Sequence, residues 1–138
     1  MLELSCPLPH QGSELVSLAH GAGGQAMHDL IQRAISPLYG KGFAPDHDGA
    51  VFEVNGTLAF TTDSYVVKPI FFPGGDIGKL AIYGTINDLA MCGAKPLYLS
   101  CALILEEGLP LEILQRVCNS MAEAARETGV FIVAGDTK

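Results

Sequence analysis

A carboxylate set in an apolar helical stripe constrains this chain more than any other feature. From Ile77 to Gly93 the sequence has helical period, and Ile77, Leu80, Gly84, Asp88 and Met91 share one stripe when wound at about 3.6 residues per turn. Burying Asp88 in a core-facing stripe is expensive without a partner. Two readings supply one: a capped or hydrogen-bonded core acid, or a metal ligand looking into a cleft. Asp63 and Asp136 add weight to the second. Each closes an apolar run in small, polar surroundings, Thr61-Thr62-Asp63-Ser64 and Gly135-Asp136-Thr137, and Asn87 stands beside Asp88. Hard oxygen ligands drawn from separate segments suit Mg²⁺ on nucleotide phosphates, because magnesium takes one or two carboxylates and leaves its other positions to phosphate and water. Asp at a strand end is also ordinary turn chemistry.

Around that helix the pattern alternates. Residues 1–14, with Pro7, Pro9 and Gly12, read as a loose arm, and residues 15–138 as one domain. Leu15–Ala19 is a short apolar run. A helix follows the glycines at 21–24, with Met27, Leu30, Ile31, Ala34 and Ile35 on one face, and stops near Pro37. Asn55-Gly56 between Ala50–Val54 and Thr57–Thr62 predicts a hairpin, and Tyr65–Phe72 extends the sheet until Pro73-Gly74-Gly75. Asp76 is placed to cap the central helix, which ends at Gly93. Leu97–Leu105 reads as a strand covered on both faces, Leu111–Thr128 as an amphipathic helix ended by Gly129, and Val130–Ala134 as a last strand before a turn. The order predicts an α+β fold, helices on one face of a mixed sheet.

Composition closes off other classes. The net charge is −7 with no run of Lys or Arg, which argues against nucleic-acid and membrane surfaces. No segment reaches the ~20 apolar residues of a membrane helix. The four cysteines have no zinc spacing and read as reduced, and the first residues lack a signal-peptide pattern, so the expectation is a cytoplasmic protein. Gly21-Ala22-Gly23-Gly24-Gln25-Ala26 matches G-x-G-x-x-A, but the acids Asp46 and Asp48 precede the strand on which a dinucleotide site needs them. A phosphate-facing glycine loop and a plain turn both remain open. Gly74-Gly75-Asp76-Ile77-Gly78-Lys79 is one residue short of a P-loop, and Leu80 stands where a Ser or Thr would hold magnesium. Lys79 is then a solvated residue or a long-range phosphate contact.

Taken in order, His20-Gly21-Ala22-Gly23-Gly24, Thr61–Val67, Phe71–Ala81, Asn87-Asp88-Leu89-Ala90, Leu105–Pro110 and Gly135-Asp136-Thr137-Lys138 resemble the HypE family of hydrogenase maturation factors. More distantly, the three acids are similar to those of aminoimidazole ribonucleotide synthetase, thiamine monophosphate kinase and selenophosphate synthetase. The resemblance implies a PurM-like, ATP-binding amino-terminal domain whose sheet pairs with a second subunit in a homodimer. It implies an ATP-dependent carbamoyl dehydratase that turns a cysteine S-carboxamide into a thiocyanate for nickel–iron hydrogenase, with HypF as carbamoyl donor and a HypC–HypD complex as cyano acceptor. Asp63, Asp88 and Asp136 match the magnesium–phosphate acids. Asp48 matches the second of two adjacent family acids, with His47 in place of the first. His20, Gly21, Gly23 and Gly24 match a loop near the phosphates, and Lys79, Asn87 and Thr137 join the phosphate-binding set. Lys138 matches a lysine beside the reacting group. The family's second domain and terminal carrier cysteine are not among these 138 residues. The expectation is therefore that this stretch binds ATP and magnesium and dimerises, while dehydration by itself fails, with Lys138 unheld at the chain's last position. A small-molecule kinase of the thiamine monophosphate type and a non-catalytic docking module are the alternatives.

Overall fold

The computed structural model describes residues 14–39 and 49–138. Helix α1 (Gln25–Leu30) runs into a π turn at Ile31–Ile35 and a 3₁₀ turn at Ser36–Leu38, so the chain stays helical through Pro37. A two-residue hairpin, β1 (Phe71–Phe72) and β2 (Gly75–Asp76), leads into α2 (Ile77–Met91). Then come β3 (Tyr98–Leu103), α3 (Leu111–Thr128) and β4 (Phe131–Thr137). The sheet is in two pieces among the described residues: β1 with β2 antiparallel, and β3 with β4 parallel through the α3 crossover. Ahead of α1, Val16 is hydrogen-bonded to the loop before α3 through Leu109 O (2.8 Å) and Gly108 N (2.7 Å).

One core joins these elements. Leu99 and Ile132 from the parallel pair meet Leu30, Ala34 and Ile35 and the inner face of α3, Leu114, Cys118, Met121 and Ala125. Burying a side chain such as Leu114 or Ile132 contributes about 2–3 kcal/mol. α2 packs on α3 at Gly78, where a Cβ would lie 2.7 Å from Val117 O and 2.8 Å from Met121 Cγ. Asp76 caps α2 by accepting from the Lys79 amide (3.0 Å), and the Ser120 hydroxyl of α3 reaches both its oxygens (2.8 and 2.7 Å). That pairing lets a carboxylate sit buried at the joint of two helices.

Four expectations are corrected. The Asn55-Gly56 hairpin does not form: residues 50–67 join no ladder, and Val51, Phe60 and Val66 are 100%, 90% and 101% exposed. An isolated two-stranded hairpin is marginal, and no third strand supports this one among the described residues. Phe52 instead stacks on Tyr98 at 4.4 Å between ring centres. Among the described residues β3 is covered on one face: Leu99, Cys101 and Leu103 turn inward, whereas Tyr98, Ser100, Ala102 and Ile104 are exposed. The core-facing stripe of α2 is Gly78, Ile82 and Leu89, while Leu80, Asp88 and Met91 are exposed, because α3 packs on the opposite side of the helix from the predicted stripe. Asp136 lies within β4, not after it, since the ladder runs on to Thr137. The pairing of β3 with β4 slips once: Leu99 faces Ile132 but Ser100 faces Ala134, leaving Val133 as the extra residue of a bulge.

Candidate functional site

The site residues fall into two groups. The first surrounds a hollow of about 70 Å³ between the glycine loop and the end of β4, lined by His20, Gly21, Met27, Glu107, Thr137 and Lys138 among others. His20 belongs to a 3₁₀ turn (Leu18–Gly21) and is held from behind: the Ser17 amide donates to Nδ1 at 2.9 Å. An Nδ1 that accepts an amide hydrogen carries no proton, so the neutral ring is the Nε2–H tautomer. Gly23 has φ +74°, a left-handed turn that favours glycine, and Gly24 precedes α1 as its N-cap. Lys138 is not unheld: its amide donates to Leu103 O (2.9 Å) and its carbonyl accepts from Leu105 N (2.7 Å). Its exposed Nζ lies 3.3 Å from Asp136 Oδ1, which also accepts from the Thr137 amide at 2.9 Å. The volume is far below the roughly 300 Å³ at the low end for ligand pockets, so this hollow offers a corner to a ligand and not an enclosure.

The second group lies along α2. Asp63 is exposed in the segment ahead of β1 and accepts from the Ser64 amide at 2.8 Å. Two residues on, Tyr65 lays its ring against Gly84, where an added Cβ would come within 2.9 Å of Tyr65 Cζ. Its hydroxyl lies 3.4 Å from Thr85 Oγ1, and Thr85 Oγ1 lies 2.9 Å from Ala81 O. Desolvation raises the Tyr65 phenol, the Thr85 hydrogen bond lowers it, and a hydrogen bond to Asp63 with the charges of Asp63 and Asp88 raise it further. Asp88 is exposed one turn beyond Gly84, with Asn87 exposed beside it.

Lys79 joins neither group. It pairs with Glu123 of α3 at 3.1 Å, the leading cause of its raised pKa, and lies about 13 Å along the helix axis from Asp88. Asp48 lies outside the described residues. Among the described residues no three His, Cys, Asp or Glu side chains converge on a metal position. Asp63, Asp88 and Asp136 thus form no protein cage. Exposed carboxylates do fit a magnesium ion whose remaining ligands are phosphate oxygens and water.

Sequence reasoning missed Tyr65 and Ser120. A signal for Tyr65 was present: glycine inside a helix costs about 1 kcal/mol against alanine, and a close neighbour is the usual reason for one. Nothing comparable marked Ser120.

The sequence profile of the AIR synthase related protein N-terminal domain matches residues 46–138. The carbamoyl dehydratase HypE of Escherichia coli K12 is 53% identical over 130 residues, covering 89% of this chain and 39% of the relative. A crystal structure of HypE in complex with ATP superposes with a TM-score of 0.84 at 54% identity, over 88% of this chain and 37% of that one. A HypE–HypF complex structure is similar at 67% identity and a TM-score of 0.54, over 55% of this chain and 25% of that one. The chain thus spans under two fifths of the length of these relatives. Matched over residues 46–138, the chain belongs to the AIR synthase related protein family through the family's N-terminal domain.

Proposed function

We propose that this chain is the nucleotide-binding part of an ATP-dependent carbamoyl dehydratase that makes cyanide ligands for nickel–iron hydrogenase in the cytoplasm. The observation that carries the reading is the match, at 54% identity and a TM-score of 0.84, to a HypE structure in complex with ATP. In the proposed reaction the carboxamide oxygen of a cysteine S-carboxamide takes the γ-phosphoryl of ATP, then leaves as phosphate. The nitrogen gives up its protons and the carbon becomes a nitrile, so one S-carboxamide and one ATP yield thiocyanate, ADP and phosphate. An amide oxygen is a poor leaving group until it is phosphorylated.

The residues take parts in keeping with their surroundings. Gly21, Gly23 and Gly24 offer backbone amides to phosphate, and His20 an Nε2–H donor. Thr137 and Lys138 face the same hollow, where the ammonium can sit against negative charge or relay a proton. Asp63, Asp88 and Asp136, with Asp48, would hold magnesium, which when bound neutralises charge on the transferring phosphoryl. Asn87 stands beside Asp88 for a phosphate contact. Lys79 is left out of this set because Glu123 occupies it.

The proposed partners are a donor enzyme, an acceptor complex and a second copy of the chain. HypF as donor enzyme accords with the HypE–HypF structure, and a HypC–HypD complex is the proposed cyano acceptor. The exposed outer face of Phe52, Tyr98, Ile104 and Phe131 is proposed to pair with a second copy of the chain. Calorimetric titration of ATP with and without magnesium tests the reading. Magnesium-dependent heat is expected, reduced by Asp88→Asn. Binding that ignores magnesium, or no binding, favours a docking module without catalysis.

A further inference from the structure

Residues 57–67 have no strand partner among the described residues, yet they carry Asp63. Something other than a ladder has to fix that acid relative to α2. Three facts about Tyr65 meet this need. Its ring occupies the place a side chain at Gly84 would take. Its hydroxyl lies 3.4 Å from Thr85 Oγ1 on the same helix. Only Ser64 separates Tyr65 from Asp63 in the chain, so fixing the tyrosine confines the acid.

From this geometry we propose that Tyr65 is a positioning residue: seated on Gly84, it registers Asp63 beside Asp88, so that the two carboxylates are presented together to a magnesium–nucleotide. The glycine at 84 is the seat and the tyrosine is the peg. This rests on the ATP–magnesium reading above, but the joint itself can be observed without any ligand.

The test uses the chain as it stands, with Tyr65→Ala and Tyr65→Phe. Nuclear Overhauser contacts between residues 63–65 and 84–88 are measured in the ligand-free chain, and ATP affinity is measured with and without magnesium. In the parent chain and Tyr65→Phe the ring contacts to Gly84 are expected to persist. In Tyr65→Ala they vanish, and magnesium-dependent ATP affinity falls roughly 10- to 100-fold, the usual loss when a residue supporting a metal ligand is removed. Magnesium-free nucleotide affinity and the thermal midpoint stay as they were, which a merely structural residue would not allow. Contacts from Asp63 to α2 that survive Tyr65→Ala overturn the proposal, as does an unchanged magnesium dependence after those contacts are lost. If the parent chain binds no ATP but Tyr65→Ala still frees residue 63 from α2, the joint stands and the nucleotide reading falls. Tyr65→Phe guards against a folding artefact, because it keeps the ring in place.

Discussion

Gly135 is the position at which one methyl group should disturb the site most. It lies in β4 opposite Cys101, one residue before Asp136. A Cβ there would sit 2.6 Å from Tyr39 Oη and closer still to the Cys101 carbonyl oxygen. The two obstacles differ in kind. Tyr39 Oη is the far end of a side chain and can move, whereas the carbonyl belongs to the backbone of β3. Overpacking of this sort costs about 1–3 kcal/mol, and a backbone obstacle puts Gly135→Ala toward the upper end, about 2–3 kcal/mol. Urea unfolding followed by circular dichroism gives the value directly. Tyr39→Phe in the same chain should recover part of the loss, with a coupling of about 1 kcal/mol in the double-mutant cycle, because only the hydroxyl obstacle is relieved. Magnesium-dependent ATP affinity should fall as well, since β4 must shift where it carries Asp136. A destabilisation below about 0.5 kcal/mol, the range of an inert surface change, would refute the close approach.

Asp76→Ala should cost about 2 kcal/mol in thermal or urea unfolding, from a lost helix cap and a stranded Ser120 hydroxyl, and Asp76→Asn much less because asparagine still caps. Burial pushes the Cys101 thiol from 9.0 up to about 11 and Cys118 up to about 12. The unfolded chain therefore sheds these protons from pH 9 upward while the folded chain keeps them, and stability is lost as pH rises from 9 towards about 11. The slope is about 1.4 kcal/mol per pH unit for each thiol, and urea titrations between pH 8 and 10.5 should show it, shallower in Cys118→Ala. A flat profile would sink the assignment of buried, neutral thiols.

What could be read from residues alone was local. The Asp76 cap, the glycine stops at 93 and 129, and the α3 stripe through Leu114, Met121 and Ala125 all depend on neighbours within a few turns, and all are present. The grouping of the glycine loop with Thr137 and Lys138 also emerged, through resemblance more than physics. The failures share a cause. The Asn55-Gly56 turn specifies a hairpin only if a third strand takes it up, and the described residues supply none. On α2 the apolar residues go round the whole helix, so periodicity could not tell the face that meets α3 from the face that carries Asp88. The clue to the second face was Gly84, and its meaning depended on a tyrosine 19 residues earlier in sequence.

The bulge at Val133 does its work by parity. Side chains of a strand alternate, so an acid four residues after an inward Ile132 would also turn inward. The one extra residue reverses that count. Gly135 and Thr137 lie opposite the inward-turned Cys101 and Leu103, and Asp136 lies opposite the exposed Ala102. The direction of this carboxylate is therefore written in the length of β4 and not in the identity of any residue along it. Val133 can be exchanged for another side chain of similar shape without consequence for Asp136. Losing that residue, or gaining a second one, would turn the charge into the core.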